Sequence, residues 1–373
     1  MPTVPGPSTG EGRTGALAHL GPNWFAAVMG TGIVPVAAVT LPAQVPGLRT
    51  FAVGVWVLAA VLLALLLAAT AAHWLRHPAQ ARAHLFHPVM GHFYGAPPMA
   101  MLTVGTGALL VGKDLLGYQV ALGLDWVLWT AGTLTGLLAT VIVPAVAVTR
   151  HGYPPGSAFG GWLMPVVPPM VSAATGALLV TTMGPGRARE SLLVGCYALF
   201  GLSLVASLIV IPLIVRRLLR HDVGTAAGTP TLWIVLGPLG QSITAAYAMG
   251  VAAHGVLSPS YAAAATRLGL YYGLVSWGLA MVWLGIIAAI TVRTARRHLP
   301  FSLTWWSFTF PVGTVVTGTS GLAAGTGTDL FADVAVALFV FLLGAWATVL
   351  VRTVRGLALG RLLVPAAAAA SAS

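Results

Sequence analysis

Ten stretches of about twenty or more mainly apolar residues run nearly end to end along the chain. They fall at 20–42, 51–75, 90–111, 124–149, 160–182, 190–217, 230–256, 266–293, 303–325 and 331–355. Each is long enough to cross the hydrocarbon core of a bilayer as a helix. Inside that core every backbone N–H and C=O must be satisfied within protein, which restricts a spanning segment to a helix or a closed barrel. The breaks between the stretches are short and hold the charges, so no water-soluble domain fits. At 58% hydrophobic and 7% charged residues, the chain has too little charge to keep a soluble surface wet. The expected fold is an all-α polytopic membrane protein.

Loop charge sets the expected orientation. Thirteen basic residues, among them Arg76, Arg150, Arg216, Arg217, Arg220 and Arg352, fall on the side holding both termini, and five on the other: Arg49, Lys113, Arg187, Arg189 and Arg267. Basic residues favour cytoplasmic loops, so both termini are expected in the cytoplasm of a multi-pass protein. Residues 1–18, rich in Pro, Gly and small polar residues, read as a disordered tail without the pattern of a cleaved signal peptide. Residues 357–373 read as a low-complexity tail, leaving 19–356 as the membrane domain. The basic excess is not interleaved with aromatics on a soluble surface, so no nucleic-acid partner is expected. The single cysteine, Cys196, excludes a disulfide framework or a thiolate metal cage within one chain. No cofactor or metal is expected.

Odd and even spans differ in kind. The second and sixth, for example, are plain lipid-compatible helices. The odd spans carry "MGTGIVP", "GAPPMAMLTVGTGALL", "MPVVPPMVSAATGALL", "LGPLGQSITAAYAMG" and "FPVGTVVTGTSG". The third and fifth share Pro-Pro-Met followed by Thr-Gly-Ala-Leu-Leu, the mark of an internal repeat of helical hairpins. A proline inside a helix frees a carbonyl that costs several kcal/mol in hydrocarbon unless protein or water satisfies it. Five such helices are therefore expected to gather around a central path, screened by the five plain ones. The candidate lining is Met29, Gly30, Thr31 and Gly32 of the first span, Pro98 and Met99 of the third, Pro169 and Ser172 of the fifth, and Pro238, Gln241 and Ser242 of the seventh. The ninth adds Ser307, Pro311, Gly313, Thr314 and Thr317.

In that ninth span Ser307, Phe310, Thr314, Thr317 and Gly321 fall on one face. One large ring thus sits in a track of hydroxyls, the arrangement of a hydrophobic gate, although most membrane phenylalanines merely pack. The seven acids are read at loops, span ends or the amino-terminal tail, none at mid-membrane. A cation path would offer carboxylates; an anion path can use hydroxyls, such as Thr31, Ser172, Ser242, Thr314 and Thr317, the amide of Gln241 and the positive ends of broken helices. Proton coupling wants a titratable group, for which His92 at the head of the third span is the candidate. The "GTSG" around Ser320 could present a nucleophile, but no histidine follows it to act as base, so no enzyme is expected.

The motifs "GPNWFAAVMGTGIV" (21–34), "GPLGQS" (237–242) and "WWSFTFPVG" (305–313), supported by "PVVPPM" (165–170), resemble the tellurite-resistance/dicarboxylate transporter family. That family includes malate permeases, sulfite efflux pumps and slow-type anion channels. The resemblance implies five hairpins in a quasi-fivefold ring, kinked odd helices lining one pore per protomer, a homotrimer in the cell membrane, and Phe310 occluding the pore. The function it implies is transport of small anions, a C4-dicarboxylate such as malate or an oxyanion of the sulfite and tellurite type. Passive flux and proton-coupled carriage through His92 both remain open.

Overall fold

The computed structural model describes residues 17–362, and among these no strand occurs. Ten principal helices follow in order: α1 (Phe25–Thr40), α2 (Leu48–Arg76), α3 (Ala96–Gly107), α4 (Tyr118–Arg150), α5 (Pro168–Thr182), α6 (Arg187–Arg220), α7 (Leu236–Ala253), α8 (Pro259–Ala295), α9 (Phe310–Thr326) and α10 (Asp329–Ala358). A π-helical turn, Ala108–Gly112, extends α3 to Leu116. A short helix, Pro78–Leu85, follows α2. The expected tails lie outside the described residues except for 17–18 and 357–362.

Among the described residues eight helical stretches are long and apolar enough to cross a membrane. The other two, α5 with 15 residues and α9 with 17, reach only about 22–26 Å at 1.5 Å per residue, short of a core about 30 Å thick. Each follows a 3₁₀ turn, Gly160–Leu163 and Leu303–Phe308. A 3₁₀ segment also leads into α1, α3 and α7, at Pro22–Trp24, Met90–Gly95 and Ala226–Val235.

These breaks correct one expectation about the prolines. Pro97 and Pro98, Pro168 and Pro169, and Pro311 do not kink helix interiors; they open α3, α5 and α9. Pro238 is the third residue of α7. First-turn N–H groups have no intrahelical partner in any case, so proline is well tolerated there. Among the odd helices only α1 holds a proline in its interior, Pro35. The even set is less plain than expected, since Pro144 lies within α4 and Pro212 within α6.

Burial separates the two sets. In the odd stretches long enough to span, 72–78% of the apolar window is buried, against 17–28% in the even ones. Most of the large exposed apolar residues, such as Leu65, Val141, Leu208, Val275 and Val340, lie on even helices. So extensive an apolar exterior is stable against acyl chains and not against water. Each odd helix packs on the even helix that follows it. Among themselves, α1 packs on α3, α3 on α5, α5 on α7, α7 on α9, and α9 on α1. Small residues make these approaches close. A Cβ on Gly240 of α7 would lie 2.5 Å from the backbone nitrogen of Val315 in α9, and one on Gly30 of α1 would fall on the Thr309 hydroxyl.

Candidate functional site

Phe310 is the first residue of α9, and its ring is buried. The turn before it is held on both sides. Trp306 Nε1 donates to Thr353 Oγ1 of α10 at 3.1 Å, and Thr309 Oγ1 donates to the Trp306 carbonyl at 2.7 Å. Pro311 fixes the backbone immediately after it. One turn into α9, the missing side chain of Gly313 gives room to Ile33 of α1. The Phe310 backbone is therefore set by its neighbours on every side.

Two cavities meet at this ring. The larger, about 380 Å³, lies toward the carboxyl ends of the odd helices. Its wall includes Ile33 and Thr40 of α1, Thr103 and Thr106 of α3, Thr175 of α5, Gln241 and Thr244 of α7, and Thr317 and Ser320 of α9. The smaller, about 30 Å³, is bounded by Ala26, Met29, Met99, Met164, Val167, Gly237, Ser307 and Pro311. At roughly 15 Å³ per water this space holds about two molecules. Phe310 borders both. Among the described residues no charged side chain lines either one.

The small cavity sits where helices begin. Ala26, Met99, Gly237 and Pro311 belong to the first turns of α1, α3, α7 and α9, and Val167 is the residue preceding α5. A helix start carries up to about half an elementary positive charge through its N–H groups. Each of the five follows a 3₁₀ segment that takes some of these groups, as when Ala96 N–H donates to the Phe93 carbonyl and Thr309 N–H to that of Trp306. Each therefore contributes only a part of that charge. The neck has no cationic side chain among the described residues, and what remains favours an anion over a cation.

Several of the wall hydroxyls are already engaged as donors. Thr103, Thr175 and Thr317 donate to the carbonyls of Met99, Val171 and Thr314 in their own helices, at 2.7, 2.9 and 3.0 Å. Such back-bonding satisfies a hydroxyl in a dry helix and leaves its lone pairs outward. Thr106 Oγ1 and Ser320 Oγ are buried with no hydrogen-bond partner among the described residues. A nucleophilic serine needs a base within hydrogen-bond reach, and Ser320 meets none.

Of the residues proposed from sequence, Met29, Met99, Ser307, Phe310 and Pro311 border the small cavity, and Gln241, Thr317 and again Phe310 the large one. The others are buried between helices and border neither. Gly30, Gly32 and Gly313 are close-contact positions against Thr309, Thr103 and Ile33. Thr31 Oγ1 accepts from Trp346 Nε1 of α10 at 3.3 Å, and Ser172 Oγ accepts from Thr133 of α4 at 2.9 Å. Thr314 and Ser242 donate to the carbonyls of Pro311 and Leu239. Pro98 touches α4 at Gly132 and Gly136, while Pro169 and Pro238 are simply buried. His92 stacks on Trp162, ring centroids 6.0 Å apart, and borders a separate side cavity instead of either one at Phe310.

Thr106, Thr175 and Thr244 were missed, yet their signal was present. Met99, Thr103, Thr106 and Leu110 are spaced i, i+4, i+7, i+11, one face of a helix, and all four border the cavities. Asp125, expected at a span end, is the acid buried most deeply among the described residues. It lies at the eighth residue of α4, fully buried against Gly105 of α3, and neither carboxylate oxygen has a hydrogen-bond partner. Among the described residues no group of three or more His, Cys, Asp or Glu is placed to hold a metal ion.

A family profile described as SLAC1, voltage-dependent anion channel, matches residues 19–354. The sulfite efflux pump SSU1 of Trichophyton rubrum is 27% identical over 82% of each chain. An uncharacterised transporter of Methanocaldococcus jannaschii is 26% identical over 82% of this chain and 84% of its own. The malic acid transport protein of Schizosaccharomyces pombe is 22% identical over 79% of this chain and 68% of its own.

Proposed function

The chain belongs to the SLAC1 family of voltage-dependent anion channels, and from that premise we propose that it is a passive conduit for small anions, closed at Phe310. In this reading α5 and α9, with their 3₁₀ lead-ins, complete ten spans within residues 19–356. The contacts of α1, α3, α5, α7 and α9 then close a five-membered ring, each member backed by its even partner. Both termini lie in the cytoplasm, and the protein sits in the cell membrane as a trimer with one conduit per protomer.

One observation carries the proposal: the ring that divides the two cavities sits where five helix starts converge on a neck without charged side chains. A neutral path with partial positive charges binds anions weakly, which suits turnover more than capture. Helix starts distinguish anion from cation but not one small anion from another. Sulfite and C4-dicarboxylates such as malate are therefore the substrates to compare, in keeping with the named relatives.

The test is flux in proteoliposomes across sulfite, malate, succinate, nitrate and chloride, for the wild type and Phe310→Ala. We expect the variant to raise flux about tenfold or more, with reversal potentials that follow the anion gradient. Unchanged flux in a folded variant refutes the gate. Potentials that follow sodium or potassium refute the anion path, and uphill accumulation driven by a pH gradient refutes passivity.

A further inference from the structure

A second concavity lies on the outside of the helix assembly, between two even helices. Val143, Pro144 and Ala147 of α4 face Ala206, Ile209 and Leu213 of α6 across a space of about 570 Å³. Its floor is the segment leading into α5, including Trp162 and Pro165. A neighbouring space of about 280 Å³ shares Tyr153, Trp162 and Leu213 with it. That second space has a different chemistry, being bounded by Arg216, Arg217 and His221 and by the loop residues 153–158.

The two spaces together have one apolar end along the helices and one cationic end at their termini. These side chains are set in place. Arg217 donates to the Ala158 carbonyl at 3.0 Å, and the imidazole of His221 lies over Gly156, whose φ of +87° and missing side chain leave it room. One carboxylate is near: Asp222 lies 3.8 Å from Arg217 and is largely in solvent. Among the described residues none lies within 4 Å of Arg216. His92 and His151 also border the apolar space. At its floor Trp162 Nε1, a donor, is buried without a partner.

We propose that this concavity is a binding site for an anionic phospholipid of the cytoplasmic leaflet, with an acyl chain between α4 and α6 and its phosphate at Arg216, Arg217 and His221. Charge complementarity selects the occupant, since a basic pocket between membrane helices on the cytoplasmic side matches an anionic headgroup. The apolar end excludes a free anion as the natural ligand, because it would leave that surface uncovered. The site rests on the membrane orientation given above, but not on the conduit or on Phe310.

Native mass spectrometry of the full chain in detergent, with added phosphatidylglycerol or phosphatidylcholine, tests the site. We expect phosphatidylglycerol to be retained preferentially. A fall of about fivefold for Arg216→Gln, the worth of one basic residue near a charged headgroup, is expected with phosphatidylcholine unchanged. Ala206→Trp, which fills the apolar end, should lower retention of both lipids. Equal retention of the two lipids by the wild type, or no effect of either variant, overturns the proposal. So does competition by inorganic phosphate that Ala206→Trp leaves untouched, which marks an anion site. A change in oligomeric mass in Ala206→Trp marks a second copy as occupant and overturns it too. Flux on the same preparations separates the two readings: intact flux with no lipid preference refutes this site alone, and lipid preference without flux refutes the conduit alone.

Discussion

Thr353 of α10 accepts the indole N–H of Trp306 at 3.1 Å and itself donates to the Val349 carbonyl at 2.8 Å. Both residues are buried. The pair ties the turn that carries Phe310 to a helix of the outer set, so the position of the ring depends on Thr353, which borders neither cavity, through Trp306, which borders the small one.

Thr353→Val removes the acceptor and leaves a buried indole N–H unsatisfied, at a cost of about 1–3 kcal/mol. A lower Tm and a raised basal flux are expected. Adding Trp306→Phe to the same chain removes the orphaned donor and should recover part of the Tm. A double-mutant cycle on Tm and flux checks this; strict additivity of the two changes denies the coupling.

Gly240 offers a steric prediction. Its added methyl meets the backbone of Thr314 and Val315, which cannot turn aside as a side chain could. Gly240→Ala should therefore separate α7 from α9, lowering Tm by several degrees and reducing folded yield. Gly278 in α8 meets nothing within 4 Å, and Gly278→Ala should be neutral or stabilising by up to about 1 kcal/mol. Equal effects of the two changes would contradict the packing.

Gln241 borders the large cavity, where no charged side chain stands. Gln241→Glu introduces a carboxylate that repels the permeant ion and should lower anion flux about tenfold at pH 7. A glutamate normally titrates near 4.3, and burial raises that value. Flux through the variant should then recover as pH falls and the group becomes neutral. The wild type has no such group at that position. Flux measured from pH 7.5 to 5 at a fixed anion gradient decides it, and a variant insensitive to pH contradicts the placement.

Asp125 is buried with both oxygens unpartnered, an arrangement that an ionised carboxylate tolerates poorly. Asp125→Asn, of nearly the same shape, should leave flux unchanged and hold or raise Tm. Asp125→Lys forces an unpaired cation against α3 and should abolish folded yield. A Tm loss above about 2 kcal/mol equivalent in the asparagine variant would show that the carboxylate has a stabilising partner.

Much of this was legible in the chain because membrane solvation is so restrictive. Apolar stretches of about twenty residues could only be helices, and the split into punctuated and plain stretches matched the split in burial. The ninth stretch shows how far helical phase reaches: Ser307, Phe310, Thr317 and Gly321 share a face and all border the cavities, whereas Thr314, on the same face, turns to carbonyls of α7. What was illegible depended on where helices begin. A proline two residues into a helix and one ten residues in look alike in sequence, so Pro98 and Pro311 were expected to bend helices that they in fact start. Thr31 and Ser172 looked like path hydroxyls, and only the positions of Trp346 and Thr133 show them turned outward. Asp125 was set at the end of its stretch because apolarity begins there, but α4 begins two turns earlier.

Phe310 hangs from the opening residue of a helix whose backbone is clamped by Thr309 before it and Pro311 after it. Only two torsions, χ1 and χ2, are left to swing the phenyl out of the neck. Such a swing rearranges one side chain and not whole segments, and in a ring this buried it is slower than rotamer exchange at an exposed residue. Conductance set by it should vary little with bilayer thickness, unlike that of an alternating-access carrier, in which whole segments rock.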